Sequence, residues 1–305
     1  MKAVKFEKYG DLDVLQVEEV ALPVPGTGQV LVKVKAAGIN PGEASIRKGL
    51  LDKQFPTTFP SGEGSDFAGI IEAVGKDIAG FSLGDEVLGF TNNRGSHADY
   101  VLAEVANIIH RPANVPWEQA GALFVAGTTA WAAVKAVSLK PGETVVVSGA
   151  AGGVGSIAAQ LAQNEGATVI GIAGASNQQW LADHGIIPVT YDEGMAGRIR
   201  EVSKGKIDAF VDTYGQGYVD LAIELGVPAN RINTIIDFGA VAKYGVKADG
   251  SAKAANATVL AELAGLLASG KLDMPIAKTY PLTQVREAYR DLEQRHTRGK
   301  IVLIP

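Results

Sequence analysis

Apolar and polar residues alternate along the first third of the chain at the period of half-buried β-strands. The clearest example is QVLVKVKAA at Gln29–Ala37. The same character marks the runs Ala3–Phe6, Val14–Val20, Phe67–Val74 and Glu86–Phe90. Before Arg111 the one helical signal is a turn near Glu43–Lys48, so this part of the chain predicts a compact, mainly β domain.

After Pro116 the pattern changes to helices that alternate with short apolar strands. The predicted helices are Trp117–Val125, Thr128–Val137, Val154–Asn164, Asn177–Asp183, Ala196–Ser203, Tyr218–Leu225 and Ala254–Ala268. The predicted strands are Thr144–Ser148, Thr168–Ile172, a run near Val189 and Ile207–Val211. Such alternation indicates a parallel sheet that is covered by helices on both faces.

The last residues return to a strand near Tyr280, a helix over Thr283–Gln294 and a strand over Lys300–Ile304. Because this tail is extended in character, we expect it to fold back onto the first domain. The predicted domains are therefore residues 1–115 together with 273–305, and residues 116–272.

The sequence VVVSGAAGGVG at Val145–Gly155 leads from an apolar strand through small residues directly into an amphipathic helix. Small residues let the backbone approach a pyrophosphate, and the N–H groups and dipole of the helix start stabilise its negative charge. Gly152 and Gly155 match the second and third glycines of a dinucleotide-binding loop. Ala150 stands at the first position, and Gly149 is the candidate for the tight turn. Since the loop lies within one βαβ unit, the pattern favours dinucleotide binding over an unliganded turn.

The second strand of this unit ends GIAGASNQ at Gly171–Gln178, without the carboxylate that commonly holds the ribose 2′-OH of NAD. Ser176 and Asn177 can donate hydrogen bonds to a 2′-phosphate, although this stretch has no Arg or Lys to act as the usual cationic clamp. NADPH is therefore favoured over NADH. The alternative is that Ser176 and Asn177 only cap the following helix.

The composition argues against several other kinds of site and partner. The chain has no Cys, which excludes thiolate metal ligands and a cysteine nucleophile, and its four His residues form no pair at a spacing typical of metal sites. The net charge of −5 and the lack of a basic run argue against nucleic acid as a partner. With no signal-peptide core and no bilayer-length apolar stretch, we expect a cytoplasmic location and no membrane association.

Several stretches, in this order, carry a resemblance to a known family. They are Gly38–Gly49, Gly64–Gly75, Phe81–Phe90, His97–Val101, Ala126–Trp131, Leu139–Gly155 and Thr297–Leu303. Together they resemble the quinone oxidoreductase (zeta-crystallin-like) branch of the medium-chain dehydrogenase/reductase superfamily. The resemblance covers almost the whole chain. It implies an α/β fold, with a Rossmann-type doubly wound parallel sheet inserted in a GroES-like mainly β domain, and a homodimer.

In the zinc alcohol dehydrogenases of this superfamily, the corresponding motifs read Gly-x-Cys and Gly-His-Glu. Here they read Gly38-Ile39-Asn40 and Gly64-Ser65-Asp66, so Asn and Ser replace the metal-binding Cys and His. Asn and Ser are poor zinc ligands, and the resemblance therefore implies a member without zinc. Without a metal to polarise an alcohol, hydride delivery to an activated acceptor is favoured.

The resemblance also implies roles for single residues. Thr128 matches a Thr near the nicotinamide, and Asn40 matches an Asn near the reacting ring. The pyrophosphate loop is matched by Ala151, Gly152, Gly153 and Val154, and the adenosine phosphate side by Ser176 and Tyr191. Many members have a Tyr where this chain has Ser45. The proton is therefore expected from water or from Ser45, unless the change reshapes the substrate pocket.

Other residues have two interpretations each. Tyr214 and Phe238 follow predicted strands, where crevice residues belong in an open α/β sheet, and are candidates for nicotinamide or substrate contacts. Glu63 and Asp66 suggest paired carboxylates for acid–base work, although a turn residue with a structural acceptor is the commoner arrangement. Arg47 suits either a phosphate or substrate oxygen or a surface salt bridge.

The resulting expectation is a zinc-independent, NADPH-dependent oxidoreductase. It would transfer hydride to quinones or α,β-unsaturated carbonyls in the cleft between the domains. Asn40 would stabilise the charge that develops on the acceptor oxygen. Alkenal or enoyl reduction within the same fold is one alternative, and an NADPH-binding protein with little or no catalysis, in a crystallin-like or regulatory role, is another.

Overall fold

The structure is a computed structural model that describes all 305 residues. Its first part holds β1 (Lys2–Phe6), β2 (Gln16–Glu19), β3 (Gln29–Gly38), α1 (Pro41–Arg47), β4 (Ser61–Gly62), β5 (Asp66–Val74), β6 (Glu86–Phe90), β7 (Tyr100–Glu104) and β8 (Ile108–His110). The predicted strands of this part are confirmed. The run expected at Val14–Val20 is shorter, because a 3-10 turn at Leu12–Val14 occupies its start. β4, β7 and β8 were not predicted.

The middle of the chain alternates helices and strands, as predicted. It holds α2 (Trp117–Ala120), α3 (Leu123–Ala136), β9 (Thr144–Val147), α4 (Gly153–Asn164), β10 (Thr168–Ile172), α5 (Gln178–Asp183), β11 (Ile187–Val189), α6 (Met195–Val202), β12 (Ala209–Asp212), α7 (Tyr218–Glu224), β13 (Ile232–Thr234) and α8 (Phe238–Tyr244). The strand expected before Phe238 was given no bounds, and it is β13, which has only three residues; α8 was not predicted.

The division between the first two predicted helices was wrong. The helical path breaks after Ala120 rather than after Val125. At the break, the Gly38 N–H donates to the Gly121 carbonyl at 2.7 Å, and a Cβ on Gly121 would lie 2.3 Å from the Ala36 carbonyl oxygen. The close approach of Gly121 to β3 therefore sets the boundary, and periodicity along one segment does not reveal it.

The tail holds α9 (Ala257–Ala268), β14 (Ile276–Pro281), α10 (Val285–Glu293) and β15 (Lys300–Ile304). β15 pairs antiparallel with β3, with Val302 opposite Gly38 and Leu303 opposite Ala37, and β14 pairs parallel with β15. The expected return of the tail onto the first domain is confirmed.

Contacts divide the chain into two compact units. The first comprises residues 1–125, 256–268 and 276–305, and the second comprises residues 126–255 and 269–275. These limits differ from the predicted domain boundaries, because α2 packs on β3 and β5 and α9 packs on β8. Packing against a distant strand, rather than the order along the chain, assigns these helices to the first unit.

The first unit is built on two sheets. Three strands form the order β2-β1-β4, and the larger sheet has the order β14-β15-β3-β5-β6-β8, with β7 paired to β3. Alternate residues of β3 and β5 point into one apolar core, which includes Val30, Val32, Phe67 and Ile71. A second core joins β1 to the tail through Phe6 and Tyr289.

The second unit has a five-stranded sheet in the order β11-β10-β9-β12-β13, and all its pairs are parallel. The buried residues of β9 and β10 are apolar, as expected for a sheet covered on both faces, whereas the carboxyl end of β12 and β13 also bury Asp212, Asn233 and Thr234. The chain builds outward from β9 in one direction and then crosses to β12. The predicted fold class, a Rossmann-type parallel sheet in a GroES-like mainly β domain, is thus confirmed. No helix combines the length and the apolar character needed to cross a membrane.

Candidate active site

The glycine loop lies where β9 ends, beside the point at which the strand order reverses. Open α/β sheets bind ligands at this kind of switch point. Gly149 has a φ of +58°, which a glycine adopts at no steric cost, and its carbonyl accepts from the Gly152 N–H at 2.8 Å. α4 begins directly afterwards at Gly153, and no side chain caps its first N–H groups. The predicted pyrophosphate residues Ala151, Gly152, Gly153 and Val154 therefore form one turn that leads into a helix start.

Gly155 keeps this turn tight. A Cβ at this position would lie 2.1 Å from the Gly149 carbonyl oxygen and 2.9 Å from Thr213 Oγ1. No real side chain tolerates such distances, so the position accepts only glycine without a backbone shift. The third glycine of the motif thus allows close packing between helix and loop.

The end of β10 gathers the residues expected on the adenosine side. Ser176 is exposed in a 3-10 turn at Ala175–Asn177, and Asn177 precedes α5 without a side-chain capping bond. A Cβ on Gly174 would lie 3.3 Å from the Tyr191 hydroxyl oxygen, so the half-exposed Tyr191 packs beside the same turn. The alternative in which Asn177 caps the helix through its side chain receives no support.

Three tyrosines lie together at this edge of the sheet. The rings of Tyr214 and Tyr218 meet edge to face at 5.9 Å. Burial raises the pKa of Tyr218 to about 12, and the neighbouring Tyr214, Asp212 and Tyr191 add to the rise. The sequence singled out Tyr191 and Tyr214 for separate reasons, and in the structure both influence Tyr218.

Two further predicted cofactor residues belong to this unit. Thr128 is fully buried on α3, and its hydroxyl is 2.9 Å from the hydroxyl of Ser251. Phe238 is the first residue of α8 and is 58% exposed, an unusual state for a large apolar ring. The preceding Asp237 caps α8 by accepting from the Ala240 N–H at 2.9 Å. Phe238 is thus held at an exposed helix start after β13.

In the first unit, Asn40 lies in a buried network that we call the polar cluster. The polar cluster comprises Asn40, Glu43, Arg47, Glu63, Asp66, Tyr289 and Lys300, all buried. Asn40 Nδ2 donates to Glu43 Oε1 and to Asp66 Oδ2, each at 3.2 Å. Its Oδ1 accepts from the Lys300 ammonium, which also donates to the Ile39 carbonyl at 2.8 Å. Every polar atom of the Asn40 side chain therefore has a partner within this unit.

Glu43 and Tyr289 extend the cluster to α10. Glu43 Oε2 accepts from the Asn40 N–H at 2.8 Å and from the Tyr289 hydroxyl at 2.9 Å, and Oε1 accepts from the Ser65 N–H at 3.0 Å. The Arg47 guanidinium lies 4.8 Å from the Tyr289 ring centre and pairs with Glu63 at 3.2 Å. Of the two interpretations of Arg47, the salt bridge is present, but its expected surface location was wrong because the side chain is fully buried.

Burial shifts the protonation of the predicted carboxylate pair. It raises the pKa of Glu63 to about 8, with a further rise from Glu43 that the Arg47 charge opposes. Burial also raises the pKa of Asp66 to about 7, and the Lys300 ammonium opposes that rise. Burial lowers the pKa of Lys300 itself. The two acids have different partners: Glu63 pairs with Arg47, whereas Asp66 accepts from Asn40 and, at 3.1 Å, from the Val125 N–H.

Ser45 lies on α1, five residues after Asn40, and its hydroxyl donates to the Pro41 carbonyl at 3.2 Å. This bond runs back along the same helix, as serine hydroxyls often do. Asn40 directly precedes α1 and Ser45 lies within it, and none of these bonds joins the two predicted catalytic residues.

Three buried polar residues, Lys300, Tyr289 and Asp212, were not predicted from the sequence. No local signal could reveal the first two, because 246 positions separate Tyr289 from Glu43 and 260 separate Lys300 from Asn40. Asp212 did carry a signal, since it ends an apolar strand just before the Tyr214 that was singled out. It is fully buried and lies behind the glycine loop.

Two family profiles match parts of the chain. Residues 26–113 match the alcohol dehydrogenase GroES-like domain, and residues 182–303 match the zinc-binding dehydrogenase domain. The second description raises the question of zinc. The positions that the resemblance assigns to zinc ligands hold Asn40 and Ser65. The Asn40 side-chain oxygen accepts from the Lys300 ammonium, and the positive charge of that ammonium opposes the binding of a dication. These residues do not fit zinc. No group of three or more His, Asp or Glu residues in the 305-residue chain could hold a metal ion.

Known proteins resemble the chain over its whole length. The quinone oxidoreductase of Pongo abelii is 30% identical over 331 aligned positions, which cover 100% of this chain and 98% of that protein. The solved quinone oxidoreductase from Coxiella burnetii has a TM-score of 0.89 at 30% identity and covers 100% of this chain and 99% of its own. The Escherichia coli quinone oxidoreductase, solved in complex with NADPH, has a TM-score of 0.86 at 26% identity, with 100% of both chains covered. With its glycine loop and strand order, the chain is an oxidoreductase that belongs to the quinone oxidoreductase (zeta-crystallin-like) family of medium-chain dehydrogenases/reductases.

Proposed function

We propose that this protein is a zinc-independent, NADPH-dependent reductase of quinones or α,β-unsaturated carbonyls. The observation that carries the proposal is the glycine loop, in which the tight turn at Gly149 and the close packing of Gly155 direct the uncapped start of α4 toward one point. A helix start of this kind binds the pyrophosphate of a dinucleotide. The solved relative with NADPH supports the same cofactor for this fold.

For the adenosine side we propose NADPH rather than NADH. Ser176, Asn177 and Tyr191 surround the end of β10 with neutral hydrogen-bond donors, and no carboxylate follows this strand before α5. A carboxylate there would repel a 2′-phosphate and hold a 2′-hydroxyl. Because the donors are neutral, we expect a preference for NADPH that is weaker than an Arg clamp would give. Thr128 and Phe238 are proposed to contact the nicotinamide side.

The bound cofactor would supply the hydride, and the residues of this chain would stabilise charge and hold the proton donor in place. Both bonds from Asn40 Nδ2 to carboxylates are 3.2 Å long, beyond the usual length of a charge-assisted bond, so we propose that one N–H is shared with the charge developing on the acceptor oxygen. Since the Ser45 hydroxyl already donates to Pro41, we propose that water is the proton source and that the Ser45 oxygen accepts a hydrogen bond from this water.

The test follows oxidation of NADPH and of NADH by absorbance with a benzoquinone, an enone, an alkenal and a simple ketone, with a chelator present throughout. We expect oxidation of NADPH with quinones or enones, slower oxidation of NADH and none with the ketone. Loss of activity in chelator would contradict zinc independence. Turnover of the ketone at a rate similar to that of the enone would contradict the proposed acceptor class.

The hydrogen bonds that the Asn40 and Ser45 side chains already donate favour a second candidate. It is an NADPH-binding protein with little or no catalysis, in a crystallin-like or regulatory role. In the structure neither side chain has a free donor. The same assay separates the candidates. NADPH binding without oxidation by any acceptor would favour the second candidate, whereas turnover would reject it.

A homodimer and a cytoplasmic location complete the proposal. Both come from the family and the composition. Light scattering of the purified chain at several concentrations tests the dimer, and a monomer at all of them would contradict it. The acidic net charge of −5 argues against nucleic acid as a partner, and a salt-sensitive shift of labelled RNA would contradict that view.

A further inference from the structure

Asp212 is a fully buried carboxylate at the carboxyl end of β12, and its partners are neutral. Its Oδ1 accepts from the Ser148 hydroxyl at 2.6 Å, the Tyr214 N–H at 3.0 Å and the Gly215 N–H at 2.9 Å. Its Oδ2 accepts from the Thr234 hydroxyl at 2.7 Å. Hydrogen bonds to an ionised acceptor are stronger than neutral ones, so this carboxylate holds its four donors firmly.

The four donors come from three different loops. Ser148 follows β9 and opens the glycine loop, Tyr214 and Gly215 follow β12, and Thr234 ends β13. All three loops leave the same edge of the sheet, because parallel strands end together. Asp212 thus links the glycine loop, the turn at Tyr214 and Gly215, and the segment that leads to Phe238.

A second layer of bonds strengthens the links to the glycine loop. The Thr213 N–H donates to the Ser148 hydroxyl oxygen at 2.9 Å, and the Thr213 hydroxyl donates to the Ser148 carbonyl at 2.6 Å. The ideal Cβ of Gly155 would lie 2.9 Å from Thr213 Oγ1. The loop therefore packs directly against the strand end that Asp212 organises, and a shift of Ser148 would displace the N–H groups of the loop.

The link to β13 works in the same way. The Thr234 hydroxyl donates to Asp212, and its oxygen accepts from the Asp237 N–H at 2.9 Å and the Ile236 N–H at 3.3 Å. Asp237 in turn caps α8, whose first residue is the exposed Phe238. The position of Phe238 thus depends on Asp212 through Thr234.

We propose that Asp212 is a positioning residue for dinucleotide binding, which fixes the three strand-end loops relative to one another through Ser148, Tyr214 and Thr234. The inference rests on the proposed function, because it assumes that these loops bind the cofactor. A positioning role predicts that loss of a link weakens cofactor affinity more than it raises the KM of the acceptor or lowers stability. A purely structural role predicts a loss of stability with unchanged affinity in the folded protein.

The test measures the Kd of NADPH by fluorescence, the KM of the acceptor and the melting temperature of the full chain. Ser148→Ala removes the link to the glycine loop, and Asp212→Asn keeps the shape while changing one acceptor into a donor. The matched control is Ser203→Ala, a buried serine before β12 whose hydroxyl donates to the Arg200 carbonyl at 3.2 Å. Ser203 lies toward the amino end of β12, away from the three loops.

We expect Ser148→Ala to raise the Kd of NADPH about tenfold, the effect of one well-placed hydrogen bond, with an acceptor KM within about twofold of the wild type. Ser203→Ala should lower the melting temperature without changing that Kd. An unchanged Kd in Ser148→Ala would overturn the inference even if Asp212→Asn fails to fold. Wild-type protein that binds NADPH without turnover would overturn the proposed catalysis alone, whereas wild-type protein that binds neither NADPH nor NADH would overturn both proposals.

Discussion

The two units bury carboxylates in opposite ways. In the second unit, Asp212 has only neutral donors, two of them backbone N–H groups. In the first unit, the polar cluster brings three acids together with the cations of Arg47 and Lys300. Burial raises the pKa of Glu63 and of Asp66 in the cluster. One unit therefore fixes loops with a single acceptor, and the other holds a network whose charge depends on pH.

The difference follows from where the donors come from. Parallel strands that end together supply N–H groups and hydroxyls to Asp212 from nearby loops, so no charged partner is needed. The polar cluster joins α1, β5, α10 and β15, and its long side chains must reach across the packed interior. Cations then compensate part of the buried negative charge, and removal of one leaves an uncompensated network.

The largest expected effect comes from Lys300→Met. The change removes the ammonium that donates to Asn40 and Ile39, and it leaves Asp66 and Glu43 without this compensating charge. We expect the free energy of unfolding to fall by about 3–5 kcal/mol, as for other buried charges that lose a partner. Urea unfolding followed by tryptophan fluorescence measures it.

The matched control is Lys278→Met, which makes the same replacement at an exposed pair with Asp291. Exposed pairs contribute little, so the control should unfold at nearly the wild-type urea concentration. Equal losses in the two variants would contradict the view that Lys300 holds the polar cluster together.

The next effect belongs to the second unit. Gly155→Ala would place a Cβ 2.1 Å from the Gly149 carbonyl oxygen, and the glycine loop must move to accept it. We expect the Kd of NADPH to rise by at least about 100-fold, or about 2.7 kcal/mol. Gly265→Ala is the control, because this glycine lies within α9 and its Cβ would meet nothing within 4 Å. That variant should keep its affinity, and the helix should gain about 0.5–1 kcal/mol. An unchanged Kd in Gly155→Ala would refute the assigned loop.

Gly155 and Asn40 show what the sequence could and could not reveal. The tight loop at Gly155 could be predicted because strand, loop and helix follow one another within a few residues, and each carries its own local pattern. The partners of Asn40 could not be found in this way, since Lys300 and Tyr289 lie near the other end of the chain. The resemblance placed Asn40 near the reaction, but only the packed structure shows that its oxygen accepts from an ammonium.

The errors in the predicted helices and strands have the same physical cause. The alternating strands and the long helices were predicted well because burial of one face imposes a period on them. β13 is only three residues long, so it carries no period, and α8 follows it directly. The break at Gly121 depends on contact with β3, which lies about eighty residues earlier in the chain.

A pH effect on stability should distinguish the two units. The pKa values of Glu63 and Asp66 are raised to about 8 and about 7 from ordinary values near 4, so between these limits the folded state binds more protons than the unfolded state. Stability from these groups is therefore fully present below about pH 4 and is lost as pH rises toward 8. We expect the free energy of unfolding to be about 1–3 kcal/mol lower at pH 8.5 than at pH 7, measured in urea.

Glu63→Gln resembles the protonated acid and should reduce this slope, with stability near that of the wild type at pH 6. Glu293→Gln is its control, because this partly exposed acid also pairs with Arg47 at 3.3 Å. A wild-type slope in Glu63→Gln would show that Glu63 does not take up the proton.

The smallest expected effect comes from Ser45→Ala, which asks whether α1 contributes a proton donor as well as part of the polar cluster. The Ser45 hydroxyl donates to Pro41 within the same helix, and serine is a weak acid, so water is the better proton source. We expect kcat with an enone to stay within about twofold of the wild type, because the bond from Ser45 to Pro41 takes no part in proton transfer. Loss of this exposed bond should also change the free energy of unfolding by less than about 0.5 kcal/mol. The kcat is measured in H₂O and in D₂O. A loss of kcat of about 100-fold, with an altered solvent isotope effect and an unchanged KM, would assign proton transfer to Ser45 instead. A change confined to KM would show that the replacement of the family tyrosine acts on the shape of the acceptor site.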